Sequence, residues 1–217
     1  MKAFTRLALF GLISCSHFQK NTEIASPKAS SFATAKVASK PLISFSSMGT
    51  VWTLHIYGKN SVNESLLQRM LMDEALLIDR TFSDWMKDSE LRKLERGDLT
   101  ELQTPTPLFM KGLLLAREAY RASEGSFDIT VGAVLWKQAK NPVGLDKLVV
   151  QGPSFRFTEH PKRLTFGGLI KGAATGLMAA RLREAGIKNF LLNAGGGNLV
   201  VQGHSEPGPW LPAPTAW

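Results

Sequence analysis

The chain has 217 residues, with 26 Lys and Arg against 18 Asp and Glu and a formal net charge of +8. A single cysteine excludes an intrachain disulfide. The basic excess is scattered, and no arginine-rich stripe with interleaved aromatics occurs, which excludes a nucleic-acid surface and suits an anionic membrane surface or a phosphate-bearing ligand.

The chain opens with Lys2 and Arg6, an apolar run from Leu7 to Ile13, then Ser14 and Cys15. This is a charged n-region and a short h-region, far below the roughly 20 apolar residues that a membrane span needs. Leu12-Ile13-Ser14-Cys15 resembles a bacterial lipobox. The resemblance implies that residues 1–14 are a lipoprotein signal peptide, cleaved before Cys15, whose sulfur takes the lipid. The other readings of Cys15 are an incidental residue after a plain secretory signal, or a buried thiol. Losing Lys2 and Arg6 with the signal would lower the charge from +8 by two, to +6. Residues 15–41 are rich in Ser, Ala, Thr and Lys without a sustained apolar period, the composition of a flexible tether.

About 160 residues follow, from 42 to 203, enough for one domain with a core. Val51 to Tyr57 largely alternates apolar and polar side chains, a half-buried strand. Met48-Gly49-Thr50 interrupts the segment, and Gly49 there predicts a bulge or a close backbone approach. Met48 by itself reads as core, and His55, on the polar register, as surface. Ser61 to Glu64 has the form of a capping box. The helix it opens carries Leu66, Leu67, Met70, Leu71, Ala75, Leu76 and Ile78 at helical spacing.

The run from Asp79 to Leu91 is read as a loop, with Asp88 or Ser89 capping a short helix to Leu94. Trp85 stands out in it. Its large apolar face either folds back on the core or receives a planar ligand. Thr106-Pro107 starts a helix to about Ser123, with Gly125 as its stop. In Gly125 to Gly132, Phe127, Ile129 and Val131 alternate with Asp128 and Thr130. Asp128 reads either as a holder of a ligand hydroxyl or amine, or as a turn aspartate bonded to the backbone. Val134 to Ala139 reads as one or two helical turns. Short strands are predicted at Lys147–Val150, Phe155–Thr158 and Arg163–Phe166.

The glycine-dense stretch from Thr165 to Gly203 organises the rest. Gly167-Gly168 precede a helix whose first turn holds Lys171. A cation is unfavourable at that end of a helix dipole unless an anion answers it, and free N–H groups beside a lysine suit a phosphate. The plain alternative is a glycine turn and a solvated lysine. Gly186 stops the helix, and Lys188–Leu192 and Asn198–Gln202 form a hairpin around Asn193-Ala194-Gly195-Gly196-Gly197. The succession of strand, helix, loop, helix, strand-like segments, helix and hairpin is an α+β pattern.

Five of these segments resemble the ApbE-type FAD:protein FMN transferases. They are Met48-Gly49-Thr50, Phe82-Ser83-Asp84-Trp85 with Asp88 to Leu91, Gly125 to Gly132, Gly167 to Gly172, and Asn193 to Gly196, in the family's order. The resemblance implies a bacterial envelope enzyme, often a lipoprotein facing the periplasm or exterior. It implies a magnesium-dependent reaction in which FMN passes from FAD to a threonine hydroxyl of a partner flavoprotein and AMP leaves. By position, Met48, Trp85, Ser126, Phe127, Asp128 and Lys171 would contact the flavin nucleotide. Gly168 would offer a backbone oxygen to the metal.

The resemblance has departures. Thr165 stands where the family usually has an acid before the glycine pair, Gly172-Ala173-Ala174 replaces Gly-Tyr-Ala, and Gly197 replaces a frequent acid. The match stops near Gly203, while the family's chains continue. Residues 204–217, with Pro207, Pro209, Pro212 and Pro214, are read as an irregular tail. A single ApbE-like domain over 42–203, its C-terminal part missing, is therefore expected. The alternative activity is that of an inactive FAD-binding lipoprotein or a fragment of a former enzyme.

Overall fold

The computed structural model describes residues 42–58 and 63–204. The signal peptide, Cys15, the tether and the tail after His204 lie outside the described residues, as does Ser61. Among the described residues, no helix is long and apolar enough to cross a membrane.

Six strands and five helices are described. A four-stranded antiparallel sheet has the order β1-β2-β5-β6, with β1 at Ile43–Ser47, β2 at Thr50–Ile56, β5 at Phe190–Ala194 and β6 at Asn198–Gln202. The period of two places Phe45, Trp52, Leu54, Phe190 and Leu192 on one buried face, in register as Phe45↔Trp52 and Leu54↔Leu192. Helices α1 (Glu64–Phe82) and α5 (Ile170–Glu184) pack there. The bulge expected at Gly49 is a two-residue hairpin turn. Met48 and Gly49 have φ of 54° and 70°, the paired positive values that a type I′ turn requires. A Cβ on Gly49 would meet nothing within 4 Å, so conformation and not close approach calls for glycine. His55 is not a plain surface residue. It is partly buried beside Leu191, and burial lowers its pKa.

Asn63, not Ser61, caps α1, its Oδ1 accepting from Leu66 N at 3.1 Å. The buried stripe is Leu67, Leu71, Ala75, Ile78 and Phe82, while Leu66 and Leu76 face out. The helix runs on to Phe82, through residues expected in a loop, because the ring of Phe82 belongs to the core. It lies 5.5 Å from Phe109 and 4.9 Å from Phe166 between ring centres. Gly112 of α3 (Pro107–Ala122) makes room for it, since a Cβ there would come 2.4 Å from Phe82 Cζ. Ser89 caps α2 (Glu90–Glu95), and Thr106 caps α3 ahead of Pro107.

The alternating segment after Gly125 gives no strand. Asp128 caps a 3₁₀ turn over Ile129–Val131, followed by α4 at Gly132–Leu135. Strands β3 (Leu148–Gln151) and β4 (Ser154–Phe157) pair as a separate hairpin. Residues 163–166 are not a strand either. They cross over Gly132, where a Cβ would lie 2.8 Å from the Leu164 carbonyl carbon, and a single bond from Thr165 N to Ile129 O (2.8 Å) fastens the crossing. A crossing offers no ladder to pair along, whatever the side-chain pattern. Leu164 and Phe166, the residues before and after Thr165, are instead buried in the core. The architecture is α+β, as the element order implied.

Candidate functional site

Three loops meet at one end of this arrangement because glycines let their backbones touch. Gly195, with φ of 63°, stands so close to β2 that a Cβ would lie 2.0 Å from Thr50 Oγ1, and its N–H donates to Val51 O at 3.0 Å. The Asn198 side chain reaches the first turn of α5 at Gly172, at an ordinary contact distance of 3.4 Å from where its Cβ would be. The Asn193–Asn198 loop is thereby wedged between the Met48-Gly49 turn and the first turn of α5. In front of them opens a cleft of about 390 Å³. Met48 and Gly49 form one wall, Asp79 and Ser83 to Met86 another, and Gly167, Ile170 and Lys171 a third.

Ser83 shapes the second wall. Its Oγ accepts from the N–H groups of Trp85 (3.3 Å) and Met86 (3.2 Å), and its carbonyl accepts from Ser89 Oγ at 2.6 Å. The turn holds Trp85 outward, 81% exposed, its ring tilted 60° against Trp136 at 5.8 Å. Neither face is folded into the core. On the third wall, no side chain caps the start of α5 at Leu169. Lys171 thus stands beside a helix start whose dipole invites an anion.

Thr165 occupies the place of an expected acid, and a carboxylate is there nonetheless. Thr165 Oγ1 donates to Asp84 Oδ2 at 2.8 Å, and Asp84 lines the cleft. Arg163 Nη2 donates to the Asp84 carbonyl at 3.1 Å, and its guanidinium carbon lies 4.0 Å from the centre of the Trp136 ring. Behind this segment, Leu164 N donates to Glu95 Oε1 at 2.6 Å, and Arg92 pairs with the same carboxylate. Burial raises the pKa of Glu95 against the opposing pull of that N–H bond and of Arg92 and Arg163. Burial likewise lowers the pKa of Arg163, with Arg92 adding to it.

The expected nucleotide contacts divide. Met48, Trp85 and Lys171 line one cleft. Phe127 is not among the lining residues; its ring packs by Gly168, Cε2 lying 3.2 Å from where a Cβ of Gly168 would be. Ser126 and Asp128 are outside the lining, and Asp128 Oδ1 accepts from Thr130 N and Oγ1, both at 2.9 Å, as a turn aspartate does. Sequence reasoning missed Asp84, Thr165, Arg163 and Trp136 as a connected group. Trp136, an aromatic left without a task in a short helix, was the available signal. Among the described residues, no cluster of three or more His, Cys, Asp or Glu could hold a metal ion. The Gly168 carbonyl alone does not make a magnesium site.

The ApbE family model matches residues 48–211, from the turn that walls the cleft to beyond β6. The chain belongs to the ApbE family. An FAD:protein FMN transferase of Haemophilus influenzae is 24% identical over 216 residues, covering 86% of this chain and 62% of the relative. One of Rhodobacter capsulatus is 32% identical over 124 residues, 48% of this chain and 24% of the relative. The ApbE fold is shared with the flavin transferase ApbE of Vibrio cholerae, at a TM-score of 0.70 and 20% identity over 77% of this chain and 61% of that one. The apo flavinyl transferase ApbE of Pseudomonas stutzeri gives 0.68 and 17%, over 77% and 62%. The chain thus spans less than two thirds of the length of each of these ApbE relatives.

Proposed function

We propose that this ApbE chain binds FAD in the cleft between Trp85 and Lys171 and acts in transfer of FMN from FAD to a threonine hydroxyl of a partner flavoprotein, with AMP leaving and magnesium required. The observation that carries the reading is the common cleft. A dinucleotide needs a flat aromatic surface and a cationic, amide-rich corner within one opening, and Trp85 and Lys171 line the same one. Chemically, the lysine ammonium would neutralise pyrophosphate oxygens, and the open start of α5 would add N–H donors. Magnesium would supply charge neutralisation at the phosphates. Among the described residues no cluster of three or more His, Cys, Asp or Glu accompanies the Gly168 carbonyl as a holder for it. The alternative reading is an FAD binder that does not transfer.

Incubating the full chain with FAD, magnesium and a flavoprotein acceptor domain, then reading in-gel flavin fluorescence, separates the two readings. Transfer gives a fluorescent acceptor band. No band, when a full-length family member gives one, leaves the binder. Binding itself is measured by calorimetry, where Lys171→Ala should weaken FAD affinity; an unchanged value rejects the pyrophosphate role. We also propose that Cys15 carries a lipid that holds the protein in the bacterial envelope. Cys15→Ser should move it from the membrane to the soluble fraction, and a mutant that still sediments with membranes rejects the anchor.

A further inference from the structure

We infer that Trp136 and Arg163 are positioning residues that fix the Trp85 ring at the mouth of the cleft, so that a planar ring of the nucleotide stacks on the face Trp136 leaves open. The inference rests on the flavin-nucleotide reading of the cleft and goes beyond it by naming what aims the ring.

An indole that is 81% exposed has almost nothing of its own to hold it, and a free side chain loses rotamer entropy when a ligand pins it. Here two consecutive residues of one loop are gripped from the same side. Trp136 meets the Trp85 ring at 5.8 Å and 60°, a tilted contact that covers an edge and leaves a face free. Arg163 lies at 4.0 Å over Trp136, which orients that ring in turn. The same guanidinium donates to the carbonyl of Asp84, the residue before Trp85, at 3.1 Å. Two positions on, Thr165 Oγ1 holds the Asp84 carboxylate at 2.8 Å.

The plainer view is that two surface tryptophans share cover by chance. The burial of Arg163 weighs against it. Only 9% of its surface is exposed, so a charge has been taken out of water to reach both the Asp84 carbonyl and the Trp136 ring. Covering an aromatic edge needs no such cation. A planar, forked guanidinium can stack and donate at once, which an ammonium cannot. The crossing of residues 163–166 over Gly132 makes the reach possible, because it carries Arg163 past the loop that α4 follows.

The test uses the full chain in detergent, with far-UV circular dichroism confirming that each variant folds. Without ligand, coupled indoles give a near-UV signal. The spectrum lost in Trp85→Phe should match the one lost in Trp136→Phe, and Arg163→Met should diminish the same bands. The other three tryptophans, Trp52, Trp210 and Trp217, cancel in these differences. With FAD, Trp136→Ala should weaken binding about 3- to 10-fold, the scale of losing one preorganised side chain, and Trp136→Phe should restore most of it. The double variant Trp85→Ala/Trp136→Ala should bind no worse than Trp85→Ala alone. Near-UV bands indifferent to Arg163→Met overturn the proposal. So does full FAD affinity in Trp136→Ala when Trp85→Ala has lost it. Bands that depend on Arg163 in a wild-type chain that binds no FAD overturn the flavin reading instead, so the two failures are told apart.

Discussion

Replacing Gly195 by alanine tests whether close backbone contact builds the cleft. Two costs add. Gly195 has φ of 63°, and an L-residue there costs about 1–2 kcal/mol. The new Cβ would also lie 2.0 Å from Thr50 Oγ1 and 3.1 Å from Thr50 Cβ. Thr50 is β-branched and stiff at χ1 in its strand, so Oγ1 does not swing freely aside, and this contact carries an overpacking cost of about 1–3 kcal/mol. The sum, about 2–5 kcal/mol, is a large part of the 5–15 kcal/mol typical of a domain. Urea unfolding should show a lower midpoint at unchanged slope. FAD affinity should fall too, because Thr50 directly follows the Met48-Gly49 wall. The decisive measurement is the double variant with Thr50→Ala. Removing Oγ1 relieves the steric part and leaves the conformational part, so the pair should show a coupling of about 1–3 kcal/mol. If Thr50→Ala recovers nothing, the contact is not what glycine is there for, and the wedge argument fails.

Trp85→Ala should leave the unfolding midpoint within about 0.5 kcal/mol of wild type, since the side chain is exposed, yet weaken FAD binding by roughly 5- to 150-fold, the worth of one stacked base; calorimetry and urea titration on the same sample check both halves. Glu95 binds its proton more tightly folded than unfolded, so its contribution to stability is present at acid pH and is lost as pH rises through the raised pKa. The melting temperature of wild type relative to Glu95→Gln should therefore climb as pH is lowered from about 7 to about 4.5, and a constant difference refutes the assignment. Thr165→Asp would set two carboxylates where Thr165 Oγ1 and Asp84 Oδ2 now lie 2.8 Å apart, and such a pair cannot ionise together. One pKa of that pair rises, so the variant should lose stability relative to wild type with increasing pH, whereas Thr165→Asn should show no such slope in thermal melts.

Much of the fold was legible because its signals are local. Thr106 before Pro107, Ser89 before α2 and the glycine loop between β5 and β6 announce themselves within a few residues. The misreadings came where a local pattern met a distant constraint. Leu66 and Leu76 carry the right spacing for a core face, but the sheet and α5 select the stripe through Leu67, Leu71 and Ile78. Phe82 extends α1 because Gly112, thirty positions on, leaves a hole for its ring. The strand-like residues 163–166 cross a glycine instead of pairing, and nothing within those four residues says so.

The site divides along the same line. Lys171 and Trp85 were readable as single residues in unsuitable places, a cation at a helix start and an indole in a polar loop, and one cleft takes both. Thr165 was readable only as the loss of a carboxylate, because a sequence shows what a position lacks and not what a neighbour in space supplies. Asp84 comes from a loop 81 positions away and meets the Thr165 hydroxyl. The exchange changes more than an address. A carboxylate at 165 would stand on the crossing segment itself, whereas Asp84 brings its charge on the loop that carries Trp85. The hydroxyl of Thr165 then becomes a donor that holds the charge and, with it, the loop. In this chain the carboxylate at the cleft and the aromatic ring beside it therefore sit on adjacent residues of one loop. A variant that frees Asp84 from Thr165 should disturb the orientation of Trp85 even though it touches neither the ring nor Trp136.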